Sequence, residues 1–204
     1  MILYKNKRFI SNSEYPDTDW VGDADFVIPD GSELAEKIKA AYPYFELVLN
    51  DDGSKIIDVV ATSEPIDKVI SQKKAELSEE CEKVIVAGVD IGDAHYSLTI
   101  EDQANILAWM AVAQTGKAVP YHQDGQPCRI YSSEEFMEVA NAAVAFKTAQ
   151  TTYCNLLMRQ VEAMTDADEV EAVKYGITQL EGEYAEQYQI IMTSLVGDSG
   201  ETNN

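Results

Sequence analysis

Apolar and polar positions change their period as the chain is read from its start. The front carries short apolar runs: Ile2-Leu3-Tyr4, Arg8-Phe9-Ile10, Ala24-Asp25-Phe26-Val27-Ile28, Phe45-Glu46-Leu47-Val48-Leu49 and Ile56-Ile57-Asp58-Val59-Val60. Runs of this length, bounded by turn residues, predict strands. Lys5-Asn6-Lys7 suits a tight turn between the first two, and Ser13-Glu14-Tyr15-Pro16-Asp17 is turn chemistry because Pro16 pushes Tyr15 away from helical angles. Asp52-Gly53 supplies the positive φ that a hairpin turn needs, which makes residues 45–60 the clearest hairpin. A helix starts at Ser32, whose hydroxyl can accept from free first-turn amides; Leu34, Ile38 and Ala41 face inward and Pro43 ends it. Residues 1–62 therefore read as a small α+β docking module.

Beyond residue 62 the period becomes helical. Ser63-Glu64-Pro65 is a helix start, and Ile66, Val69, Ile70, Leu77, Cys81, Val84 and Ile85 recur at helical spacing up to a break at Gly88. Within that stripe Ile70, Leu77 and Val84 stand seven apart, as in a coiled-coil seam, although Lys73 and Lys74 interrupt it. Residues 89–98 read as two short strands around Gly92-Asp93, and Thr99 with Asp102 has capping-box spacing for the helix that follows. That helix is expected to bury Ile100, Ala104, Leu107, Ala108, Met110 and Ala111. Its amides Gln103 and Asn105 are expected to hydrogen-bond the adjoining strand backbone. Residues 119–131 read as a second hairpin turning at Asp124-Gly125, and Ser132 with Glu135 opens a long helix to about Met164. Along it Phe136, Ala143, Gln150, Leu157 and Met164 repeat every seven residues, with polar Gln150 suited to fixing a register or a copy number. About thirty residues of helix span ~45 Å, and a helix of that length needs partners along its length, from this chain or from symmetry copies. A shorter helix restarts at Thr165-Asp166 and is interrupted near Gly176. A last one covers about Glu183 to Leu195, folding Tyr175, Leu180, Tyr184, Tyr188 and Ile191 back on the long helix. The 197–204 tail is polar. The fold class expected is α+β: a small mixed module, then a mainly helical body over 63–196 with coiled-coil-like helices and two short hairpins.

Charge narrows the partners. Of 204 residues, 36 are Asp or Glu and 15 are Lys or Arg, a formal net charge of −21, which repels nucleic-acid phosphates and anionic membrane surfaces. No apolar run approaches the ~20 residues that span a bilayer. Cys81, Cys128 and Cys154 have neither a disulfide nor a zinc spacing. The histidines, His95 and His122, each fall in a hairpin; Asp93 is the carboxylate nearest His95. Asn50-Asp51-Asp52-Gly53-Ser54 lacks the spaced ligands of a calcium loop. No nucleophile elbow or phosphate loop occurs, and Trp20, Tyr44, Tyr121 and Tyr131 serve equally as sugar platforms or as half-buried strand aromatics. No catalytic, metal or cofactor residue is nominated. Ile70, Leu77, Val84, Phe136, Ala143, Gln150, Leu157 and Met164 are the candidate oligomer or packing seam.

Leu77-Ser78, Cys81, Ile85 and Gly88, followed by Tyr96-Ser97-Leu98 and Asp102-Gln103-Ala104-Asn105, resemble a domain of uncharacterised function found in bacteriophage tail proteins. In that family an LS..C...I..G helix precedes a YSL...DQ.N element and a hairpin. The resemblance runs from about 68 to 164, and the 1–62 module is similar to those that open short tail or baseplate proteins. It implies a noncatalytic structural component of a tail, baseplate or fibre connector, located in the virion after assembly in a bacterial cytoplasm. Expected partners are other tail or fibre proteins and further copies of itself, a trimer being favoured, with no cofactor. A tail-fibre assembly factor not retained in the virion is the alternative.

Overall fold

The computed structural model describes residues 2–5, 8–11 and 26–197, with side chains from Phe26 to Ser194. The turns expected at 5–7 and 13–17, Trp20 and the 198–204 tail lie outside the described residues. The protein is of the mixed α and β class, about 56% helical and 15% strand, with short antiparallel hairpins. It divides into two compact units, Met1–Pro65 and Ile66–Asn204.

In the first unit β1 (Ile2–Lys5) is the centre of a sheet and pairs antiparallel with β2 (Arg8–Ser11) and β3 (Phe26–Ile28). Helix α1 (Glu33–Ala41) starts because the Ser32 hydroxyl accepts from the Ala35 amide and donates to the Pro29 carbonyl, filling one orphan donor of the first turn. Its buried residues are Ala35 and Ile38, while Leu34 is half-buried, so the inward stripe sits slightly around the helix from the expected one. Strands β4 (Phe45–Leu49) and β5 (Ile56–Ala61) form a second sheet with a register shift after Val48. In the turn Asn50 accepts from the Lys55 amide and Asp52 from the Ser54 amide, so these polar groups are spent on the backbone. Ile28, Ala35, Ile38 and Ile56 make the core of this unit, edged by Phe26, Phe45, Leu47 and Val59.

The second unit is built on α2 (Ile66–Ala87) packed along α4 (Ser133–Glu162). Between them in sequence come the hairpin β6 (Val89–Ile91) and β7 (Ala94–Tyr96), helix α3 (Ile100–Ala113), and the hairpin β8 (Val119–Tyr121) and β9 (Arg129–Tyr131). Helices α5 (Ala167–Ala172) and α6 (Gly182–Gly197) follow, α5 lying against α2 and α6 against α4. One core gathers both hairpins, α3 and the first half of α4 around Tyr96, Leu98, Ile106, Tyr131, Phe136 and Ala140. A second, around Val69, Leu77, Leu157, Val161 and Val170, joins α2, the last part of α4 and α5. Lys73 does not interrupt this core. It is buried, with its ammonium donating to the carbonyls of Glu171 and Val173 at 3.1 and 3.2 Å and to Glu76 at 2.8 Å. Those carbonyls end α5, where a cation also meets the negative end of the helix dipole.

The face that α3 buries differs from the expected one. Ile106 and Ala113 are buried, with Trp109, Met110 and Val112 against the same core, whereas Ile100, Ala104, Leu107, Ala108 and Ala111 are exposed. The helix is apolar nearly all round, so its period alone does not select a face.

Candidate functional site

The junction between α2 and α3 concentrates the polar interactions of the second unit. Helix α2 stops at Gly88, which has φ +96°. A Cβ there would lie 2.1 Å from the Tyr96 carbonyl oxygen and 2.7 Å from Ser97 Cα, so two stretches of backbone cross in contact. The Leu98 amide then donates to the Val86 carbonyl at 3.2 Å, joining the exit of β7 to the last turn of α2.

His95 pairs with Asp90, not with Asp93. Asp90 and His95 face each other across the hairpin, and Nδ1 lies 2.7 Å from Asp90 Oδ1 while Nε2 lies 2.8 Å from the Ala87 carbonyl. Both partners accept, and a neutral imidazole donates from one nitrogen only. The Asp90 carboxylate first, then the Ala87 carbonyl, raise the pKa of His95 above its ordinary value. The tip of the second hairpin closes over this corner. Asp124 accepts from the amide and hydroxyl of Ser97, and its own amide donates to the His95 carbonyl at 2.9 Å. The Ser97 hydrogen bonds hold the Asp124 carboxyl below its usual range.

Thr99 and Asp102 form the expected reciprocal capping box, at 3.2 Å to the Asp102 amide and 3.1 Å from the Thr99 amide. Gln103 donates to the Leu98 carbonyl at 2.7 Å and accepts from Lys147 at 2.5 Å, bridging the junction to α4. Asn105 is exposed, and among the described residues it has no such contact. Ser132 caps α4 as expected, but the Glu135 carboxylate turns to Arg129 instead of completing a box. Beneath these groups Tyr121 stacks on Tyr96 at 6.3 Å and meets Phe136 edge-on at 5.2 Å, while the Tyr96 and Tyr131 hydroxyls pair at 3.2 Å. Tyr121 and Tyr131 are buried, which removes them as sugar platforms, and burial pushes the Tyr121 hydroxyl up to about 12.

The seam residues separate into different roles. Leu77 and Leu157 are fully buried together, with Ile70 and Met164 at the edge of the same core; Phe136 and Ala143 belong to the hairpin core. Val84 is half-buried outside these clusters, and Gln150 accepts from the Tyr175 hydroxyl at 2.7 Å. Leu77, Phe136 and Leu157 are buried within the second unit, and Gln150 serves an intrachain bond, while Ile70, Val84 and Met164 keep part of their surface. Further polar anchors hold the segment before α6. Tyr153 donates to the Thr178 carbonyl at 2.6 Å, and Gln160 donates to the Gln179 carbonyl at 3.3 Å while accepting from the Glu181 amide at 2.9 Å.

A groove of about 340 Å³ between α2, the start of α3 and α4 is lined by Cys81, Ile85, Ile100, Gln103, Lys147 and Cys154. Of its thiols, Cys154 is buried with its pKa raised by desolvation and points at the Leu77 carbonyl, while Cys81 points at that of Gln150. Cys128 and His122 are exposed, His122 stacking on Tyr121. Among the described residues no group of three His, Cys, Asp or Glu side chains is placed to hold a metal ion, and no helix is long and apolar enough to cross a membrane.

These features define a helical scaffold whose junction is pinned by side chain to backbone bonds. Residues 69–175 match the family described as Domain of unknown function (DUF4376), and the chain belongs to that family. The match extends past the expected end near 164 to take in α5 and stops at Tyr175, the residue that bonds Gln150. No curated protein and no solved structure matches the chain.

Proposed function

We propose that the protein is a noncatalytic structural component of a bacteriophage or phage-like tail, baseplate or fibre connector. The tail assignment comes from the resemblance carried by Leu77-Ser78, Cys81, Gly88, Tyr96-Ser97-Leu98 and Asp102-Gln103-Ala104-Asn105. What supports the noncatalytic reading is the employment of its polar side chains. Asp124, Gln103, Lys73 and Gln160 are each committed to backbone groups of the same chain, as in a part selected to hold a shape. In this reading the first unit docks to neighbouring tail proteins, and the protein is assembled in the bacterial cytoplasm and stays in the virion tail. Its partners are proteins, since a net charge of −21 disfavours nucleic acid.

Mass spectrometry of purified particles and of the cleared lysate tests this. The protein in particles at a fixed ratio to a known tail subunit is the expected result. Recovery from lysate bound to fibre protein, with none in particles, supports the assembly-factor alternative. Absence from both overturns both readings.

A further inference from the structure

We propose that the exposed apolar face of α3 is a two-fold contact with a second copy of this chain. The inference goes beyond the tail assignment and stands on this surface alone. Ile100 is 72% and Leu107 59% exposed, and Ala104, Ala108 and Ala111 continue the same face. The stripe runs ~17 Å along the helix at about 1.5 Å per residue. From Gln103 to Thr115 there is no charged residue, in a chain whose net charge is −21. Two copies repel each other over most surfaces they can present, and this face is where they meet without like charges opposed.

The occupant follows from the order of large and small side chains. A two-fold contact needs one patch that is complementary to itself, residue i meeting j while j meets i. Turned antiparallel about a point between Asn105 and Ile106, the stripe sets Ile100 against Ala111 and Leu107 against Ala104. Each large side chain then meets a small one, twice over by symmetry, and the alanines let the helices approach closely. A parallel arrangement instead puts Ile100 on Ile100, Leu107 on Leu107 and Glu101 beside Glu101, and it aligns the helix dipoles unfavourably. A basic partner is disfavoured because the carboxylates at this face, Glu101 and the Glu82 that shares a groove with Ile100, stand at one end of it, leaving the stretch from Gln103 to Thr115 without a charge. One helix face falls at the small end of specific interfaces, so the association is weak and concentration-dependent.

Sedimentation equilibrium of the full chain over a concentration series tests the contact. The wild type is expected to rise from 22.6 kDa toward twice that mass. Ala104→Glu and Ala104→Lys, each placing like charges about one turn apart across the axis, are expected to stay at one chain when alone. An equal mixture of the two is expected to return to two chains, which also shows that both variants are folded. A wild type that remains at one chain, a three-chain limit, charge variants that still pair alone, or a mixture that fails to pair each overturns the proposal. None of these outcomes bears on whether the protein is found in particles.

Discussion

Replacing Lys73 by Met separates the packing of α2 from the hydrogen bonds it makes to α5. The residue is 8% exposed, and methionine fills a similar volume. Three interactions are lost: a salt bridge to Glu76, itself 55% exposed, and hydrogen bonds to the carbonyls of Glu171 and Val173. The ion pair contributes little because Glu76 stays in water, at most about 1 kcal/mol. The Glu171 carbonyl is only part-buried and can take a water, whereas the Lys73 bond to Val173 is buried and leaves an orphan acceptor that costs about 1–3 kcal/mol. Relief of the desolvation of the ammonium offsets part of this. The expected loss is about 2 kcal/mol, or roughly 4–8 °C in melting temperature for a chain of this size. Circular dichroism melting reads the shift, and hydrogen exchange places it: the amides of Val170 and Val173 should lose protection while those around Phe136 keep theirs. Glu76→Gln should lower the melting temperature by no more than about 2–4 °C, and by less than Lys73→Met does. If Lys73→Met melts at or above the wild type, or if Glu76→Gln reproduces its loss, the carbonyl bonds are not what holds α5.

Gly88→Ala meets backbone at 2.1 Å and is expected to cost well beyond the roughly 1–2 kcal/mol of positive-φ strain, while Gly92→Ala, with φ +61° and open space around it, should cost only that strain; denaturant titration of both variants ranks them. The raised pKa of His95 means that its charged form stabilises the fold fully below the ordinary value of 6.5 and that the contribution fades as pH rises through the higher folded value. Urea midpoints measured between pH 5 and pH 9 should therefore fall with rising pH through this group, and the His95→Gln difference from wild type should shrink over the same interval. Gln160→Ala removes a donor and an acceptor that hold residues 179 and 181, so limited proteolysis should cut between Gln179 and Glu181 faster than in wild type, with α4 left intact.

Features set by near neighbours were legible from the residues. The Ser32, Thr99 and Ser132 caps, the Asp52-Gly53 turn and both hairpins of the second unit depend on chemistry within a few positions. The Asp90–His95 pair was also legible in principle, because a two-residue turn at Gly92-Asp93 sets Ile91 against Ala94 and Asp90 against His95. Helix α3 defeated pattern reading because Ile100, Ile106, Leu107 and Trp109 surround its axis, and tertiary packing chose among faces that look alike in sequence. Lys73 looks like a break in an apolar stripe and Gln160 like a polar flank beside one, and their partners were not legible in the local pattern. The seven-residue spacings of Ile70, Leu77 and Val84 on α2 and of Phe136, Ala143, Gln150, Leu157 and Met164 on α4 describe ridges equally suited to a neighbouring helix of the same chain or to a symmetry mate.

The crossing at Gly88 has a mechanical consequence. Because the last turn of α2 touches the backbone of Tyr96 and Ser97 and receives the Leu98 amide, the β6–β7 hairpin is a side loop on a short circuit between two helices. Tension drawn along α2 passes through this crossing toward Thr99 and the start of α3, and the hairpin feels it only after the Leu98–Val86 bond has parted. Extension under load should therefore begin with a single discrete release at the crossing, followed by the slack stored in the hairpin.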